Sequence, residues 1–373
     1  MTGSWAGELV DAVDADNLVP RRSTAESQTL AVLRRAPRTA RDHAALAVRD
    51  FRAAGTGALA DLRSDQVAHR FFVTTSGVNV LVARMTVPGG PWPGHFGLEA
   101  AVFDAAPAEM PAAFPALAQC APLRFGRLRG ASRGLAAGSG AVLFPEQLAV
   151  RVRPARQSFG VVFLGKLAGL FTTGVLPVLD ADLRGALRGD PGLVLEIRRL
   201  AFLAHEWGHL TGCAAEQGVA ARGCRLIAVI AELHADLAAL AMLDACPEPR
   251  AELIATVLVA DRVVREAWLR RPYRQVDAIA ARQLLVLLSG CGALEVTDDH
   301  RLRIDLSRAA GPAAGELARV REIEAACVLA GSEPAAAYLR ERGWALLDTA
   351  CHRELEDPLS RFLGYMSTRT AAV

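Results

Sequence analysis

The sequence predicts an α+β protein whose two kinds of structure are segregated along the chain. A strand-containing N-terminal half, residues 1–180, precedes a mainly helical C-terminal half, residues 181–373. Three observations lead there. Between about 68 and 165, short apolar segments alternate with Pro- and Gly-rich turns, the pattern of strands with tight connections. Beyond about 180, apolar residues recur at 3–4 spacing through long segments, the period of a helix. The chain has 373 residues, 52% of them hydrophobic, enough for one large domain or two tightly joined ones. The boundary near 180 is soft, because no low-complexity linker or internal repeat marks it.

The elements follow in order. Residues 24–53 read as a helix with arginines outside. HRFFVTTSGVNVLVARMTV reads as two strands turning at Ser76-Gly77, a hairpin signal. Further strands are expected at 97–103, 123–129, 140–153 and 158–165. PGGPWPG, residues 88–94, reads as a loop, and 105–117 as a loop or short helix. Asp190-Pro191 marks a helix start, an N-cap with proline at the first position. That helix should end near Gly212. Others are expected at about 220–245, 249–268, 275–289, 312–331 and 334–356. A hairpin over 294–306 should turn at Asp298-Asp299.

Composition excludes several functions. Formal net charge is +2, so there is no electrostatic case for a nucleic-acid partner. Basic residues are almost all arginine, with Lys166 the single lysine. They alternate with acids, as on a solvated face. The seven cysteines are widely spaced and form no CxxC. Buried thiols in a reducing cytoplasm are expected, not a disulfide framework or a cysteine zinc cage. The acidic N-terminus does not read as a secretory signal. GVVFLGKLAGLFTTGVLPVL, residues 160–179, is long enough to cross a membrane. Lys166, Pro177 and three glycines interrupt it, so two buried strands, or a strand and a loop, are the expectation, with no membrane partner.

The chemistry concentrates in LAHEWGHL, residues 203–210. His205 and His209 are one helical turn apart and share a face, so both can reach one metal ion. Glu206 lies about 100° round the helix, beside such an ion without having to bind it. A general base acting on metal-bound water belongs there. The competing reading is a core helix with two hydrogen-bonded histidines. The next helix, LIAVIAELHADLAALAML, carries three polar residues in an apolar run, Glu232, His234 and Asp236. Buried charges are costly unless paired or metal-bound. Glu232 and Asp236 share a face, which suits a third ligand and an acceptor for a histidine's other ring nitrogen. His234 is the rival third ligand, but lies about 200° from Glu232 and lacks the companion carboxylate. The metal site is expected between these two central helices.

HEWGH followed by ELHAD resembles the gluzincin metallopeptidases, with their HExxH and a later ExxxD or ExxAD. FLAHEWGHL is similar to the active helix of small peptidases that cleave phage repressors. ELHAD is similar to the matching segment of dipeptidyl-peptidase III and of membrane-bound CAAX-type proteases. The resemblance covers about 45 residues. It implies a zincin-like helical half, His205, His209 and Glu232 as Zn2+ ligands, Glu206 as catalytic base and acid, and Asp236 behind a histidine. Such enzymes often hold the oxyanion with a later His, Tyr or Arg. Tyr273 is the chosen candidate, with Arg271, Arg274, His300 and His352 as others. His95 could cover the site from the N-terminal half.

The expected function is zinc-dependent hydrolysis of a peptide or small amide substrate. One alternative is a non-haem Fe2+ oxygenase of the 2-oxoglutarate-dependent, peptide-modifying kind, since two histidines and a carboxylate also form its facial triad. Another is a non-catalytic regulator with a relic site. The sequence does not fix the oligomeric state.

Overall fold

The computed structural model describes residues 4–18, 28–35, 71–73, 78–86, 96–105, 112, 114–120, 123–132, 141–143, 160–212, 225–269, 276–297 and 299–342. The chain divides into two compact units. One comprises Met1–Glu109 and Ala121–Lys166, the other Met110–Cys120 and Leu167–Val373. Strands are concentrated in the first and helices in the second, an α+β architecture.

The first unit is built on a six-stranded mixed sheet. Its strands are β1 (Phe71–Val73), β2 (Val78–Thr86), β3 (Phe96–Ala105), β4 (Leu123–Ala131), β5 (Ala141–Leu143) and β6 (Gly160–Phe163). Their spatial order is β1-β2-β3-β4-β6-β5. All neighbours are antiparallel except β4 and β6. The hairpin expected around Ser76-Gly77 is present as β1 and β2, with Val73 opposite Asn79. The register of β3 against β4 shifts between Val102 and Phe103. Arg129 then falls unpaired in the ladder and reaches Asp104 through Nε at 2.8 Å. Helix α1 (Ser4–Leu18), which the sequence reading did not anticipate, packs on β3 and buries Leu9 and Val13. Of the helix expected over 24–53, α2 (Gln28–Leu33) is described.

Residues 160–179 differ from expectation. After β6 the chain does not form a second strand or a loop. It winds through α3 (Leu164–Leu170), a π-turn at Phe171–Val175 and a 3-10 turn at Leu176–Val178. Two of the glycines read as breakers do not oppose this: a β-carbon at Gly165 or Gly169 would meet nothing within 4 Å, while Gly174 is buried in the π-turn. Thr172 and Thr173 donate their hydroxyls to the carbonyls of Ala168 and Gly169, each at 2.9 Å. Those bonds cap carbonyls at the irregular turn, while Phe171 and Val175 enter the core.

The second unit is a helical assembly. Asp180 caps α4 (Ala181–Arg188), and Asp190 caps α5 (Pro191–Thr211) by accepting from Leu193 N at 3.0 Å. Proline at the first position of α5 loses no bond, since that N–H has no helical partner. Next come α6 (Arg225–Asp244), α7 (Ala251–Leu269) and α8 (Val276–Gly290). The hairpin β7 (Leu294–Val296) and β8 (Leu302–Ile304) precedes α9 (Leu306–Ala330) and α10 (Glu333–Glu341). The start of α9 corrects the expectation of 312. Asp305 caps the helix by accepting from Ser307 N, and Pro312 lies inside it. A capping aspartate with Ser307 behind it is a start signal that the proline had obscured.

Helix α6 is the hub of this unit and packs on α5, α7, α8 and α9. Its segment Leu226–Asp244 is long and apolar enough to cross a membrane, but 67% of that window is buried inside the protein. That suits a core helix whose few polar residues are committed to neighbours.

Candidate metal centre

The site grows from the crossing of α5 and α6. Gly208 makes it possible. A β-carbon there would lie 2.2 Å from the carbonyl oxygen of Ala235, so the two backbones meet where no larger residue fits. The close crossing sets the side chains on either side of Gly208 against those around Ala235.

His205, His209 and Glu232 converge there. The two Nε2 atoms are 3.2 Å apart. Glu232 places Oε2 3.3 Å from Nε2 of His205 and Oε1 3.5 Å from Nε2 of His209. One donor atom from each residue lies within 4.8 Å of the others, a group that can hold a metal ion. His205 is buried, whereas the side chains of His209 and Glu232 are 19% and 22% exposed. The cluster therefore has a wall on the His205 side and access on the other, as an open coordination position requires.

Glu206 sits next to this cluster, 3% exposed. Among the described residues nothing hydrogen-bonds its carboxyl. Burial pushes that carboxyl above its ordinary range, and the nearby histidines offset this in part. Burial also works against the charged form of Glu232, but the charge of His209 and hydrogen bonds from both histidines hold it well below the usual range. Two glutamates on neighbouring helices are thus driven apart in acidity, the arrangement that lets one bind and the other exchange protons.

The far side of His205 is held by two buried groups. Asp236 Oδ1 lies 2.8 Å from Nδ1 of His205. Arg262, from α7, donates to that same oxygen through Nε at 2.9 Å and approaches it with its terminal nitrogen at 2.7 Å. The terminal nitrogen is also 2.7 Å from Nδ1. Two N–H groups cannot donate to each other, so Asp236 Oδ1 is their common acceptor when Nδ1 carries the proton. Burial raises the Asp236 carboxyl, but the Arg262 charge and then His205 outweigh it and hold it low. Sequence reasoning missed Arg262. The signal was there in VLVADRVV, where Asp261 and Arg262 interrupt an apolar run. Asp261 accepts from Arg198 of α5 at 2.8 Å, another buried pair.

His234 goes elsewhere. Its Nδ1 is 2.8 Å from Glu324 Oε2 on α9, and its Nε2 is 3.2 Å from the hydroxyl of Thr211. His234 and Glu324 are both buried. The structure thus brings Glu232 to the two histidines and gives His234 to a separate buried contact between α6 and α9. His300 sits at the exposed turn of the β7–β8 hairpin with a positive φ of 58°, outside the cluster. Tyr273, Arg271, Arg274, His95 and His352 lie outside the described residues.

No family model matches the sequence, and no curated protein matches it. Solved structures do match in fold. DPP III from Caldithrix abyssi superposes with a TM-score of 0.59 at 13% identity, covering 92% of this chain and 67% of that one. Dipeptidyl-peptidase III from Corallococcus sp. strain EGB superposes with a TM-score of 0.60 at 13% identity, covering 91% of this chain and 66% of that one. The chain spans about two thirds of the length of these structures, and what it shares with them is the fold.

Proposed function

We propose that this protein is a zinc-dependent hydrolase of a peptide or amide bond, with His205, His209 and Glu232 holding the ion and Glu206 as general base. The observation that carries the proposal is the convergence of three donors: the two Nε2 atoms are 3.2 Å apart, and the Glu232 carboxylate lies 3.3 Å from that of His205 through Oε2 and 3.5 Å from that of His209 through Oε1. A tetrahedral ion with bonds of about 2.0–2.1 Å needs ligand atoms roughly 3.3–3.4 Å apart. The donor set also suits zinc, which takes imidazole nitrogen and carboxylate oxygen.

When bound, zinc supplies Lewis-acid chemistry and brings the pKa of a water molecule toward 7. Glu206, buried and raised in pKa, accepts the proton of the attacking water and returns it to the leaving amine. Asp236 keeps the His205 proton on Nδ1 and leaves Nε2 free to ligate. The likeness to dipeptidyl-peptidase III structures supports a peptide substrate by fold analogy. Tyr273 is the proposed holder of the oxyanion, because such enzymes often use a later Tyr and it stands in RRPYRQ, after the two helices of the site in the sequence.

The test is metal analysis by mass spectrometry of protein purified without added metal, with turnover of a mixed peptide library in air and under argon. Stoichiometric zinc with oxygen-independent cleavage is expected. Iron with oxygen-dependent turnover would overturn the proposal.

A further inference from the structure

We infer that Arg262 is a positioning residue of the metal site, fixing the orientation of His205 through Asp236. The inference rests on the zinc-site reading above and adds a third helix to it. Arg262 and Asp236 are 2% and 1% exposed, and α7, which carries the arginine, also buries Ile254, Val257, Leu258, Val263 and Val264. A guanidinium in such surroundings is costly unless its donors are used. Here two of its nitrogens aim at one oxygen, Asp236 Oδ1, at 2.9 and 2.7 Å.

That oxygen is also the acceptor facing His205 Nδ1 at 2.8 Å. A carboxylate held by a histidine alone could swing about its side-chain bonds and offer either oxygen. Arg262 holds Oδ1 in place with two of its nitrogens, and its terminal nitrogen also lies 2.7 Å from His205 Nδ1. The ring plane of His205, and with it the direction of Nε2, then follows from the α7 backbone. The anchor is not isolated. The preceding residue, Asp261, takes Arg198 two turns upstream of His205 on α5. Adjacent residues of α7 thus grip α5 directly and the α5–α6 pair through Asp236. A lysine at 262 would carry the charge but could not span both positions with a planar fork.

The test is zinc affinity by competition with a fluorescent chelator, on the full chain and its Arg262→Lys and Arg262→Gln variants. The cobalt(II) absorption spectrum and thermal unfolding of the metal-free proteins are read alongside. Affinity should fall about 10–100-fold in both variants, the range seen for groups that orient a metal-binding histidine, and the cobalt bands should shift. The same substitutions made on Asp236→Asn should lower affinity by little more than Asp236→Asn alone, because Arg262 acts through that carboxylate. If Arg262→Gln fails to fold, the Arg262→Lys cycle decides. Wild-type zinc affinity and cobalt bands in the variants, or losses that simply multiply with Asp236→Asn, would overturn the inference. A wild-type chain that binds no zinc would instead defeat the zinc-site reading itself.

Discussion

Gly208 of α5 faces the backbone of Ala235 in α6 so closely that a β-carbon would sit 2.2 Å from the Ala235 carbonyl oxygen. The glycine inside HEWGH therefore sets the distance between the helix of the two histidines and the helix of Glu232. Gly208→Ala adds a methyl group where backbone must move. Overpacking costs about 1–3 kcal/mol, and this contact with backbone belongs at the upper end. Thermal unfolding of the variant should show a lower midpoint, and zinc titration a weaker site. An unchanged midpoint with unchanged affinity would mean that the crossing is looser than the structure shows.

Glu232 and His234 should separate cleanly. Glu232→Ala removes one corner of the cluster and should abolish tight metal binding. His234→Ala leaves the three donors in place but strips Glu324 of its buried histidine. Removing the buried neighbour of a polar group costs about 1–3 kcal/mol, so the variant should be less stable yet bind zinc near normally. Denaturant unfolding and chelator competition on both proteins check this. Loss of zinc in His234→Ala at a temperature where it remains folded would count against the assignment.

Metal entry also competes with a proton. In the metal-free chain, burial and Arg262 oppose the charged form of His205, but Asp236 and Glu232 outweigh them and lift its pKa to about 9. Below that pH the ring is charged, and Nε2 must release its proton to bind metal. Zinc affinity should therefore weaken by about tenfold for each pH unit below about 9, with roughly one proton released per ion at neutral pH. Calorimetry in buffers of different ionisation enthalpy reads the release. Affinity that stays flat between pH values of about 6 and 9 would contradict it.

Much of this arrangement was legible in the sequence, and the reasons are local. Glu232, His234 and Asp236 stand out because α6 is otherwise apolar, and helical geometry alone puts Glu232 and Asp236 on one side. Asp190 and Pro191 announced α5 for similarly local reasons. Arg262 was visible by the same contrast in α7 but went unread. Glu324 was not visible: in ARVREIEAACVLA it is one acid among alternating charges, and nothing in that pattern distinguishes the buried one. The helical turn after β6 was hidden by glycines, of which Gly165 and Gly169 face open space in the fold. Gly208 was hidden differently, because the need for a glycine arises only from a partner helix some 27 residues away.

His205 and its neighbour Glu206 divide the labour of the proposed site, one binding the ion and the other moving the proton. Glu206→Gln keeps size and some hydrogen bonding but cannot take a proton at neutral pH. The measurement is zinc content by mass spectrometry together with peptide turnover for this variant and the unaltered chain. Zinc content should stay near that of the unaltered chain, with turnover lowered by at least the roughly 10²–10⁴-fold that general base catalysis supplies. Full turnover would reject the hydrolytic mechanism while sparing the metal site, and loss of zinc would show Glu206 to be a ligand, contradicting the geometry described for α5.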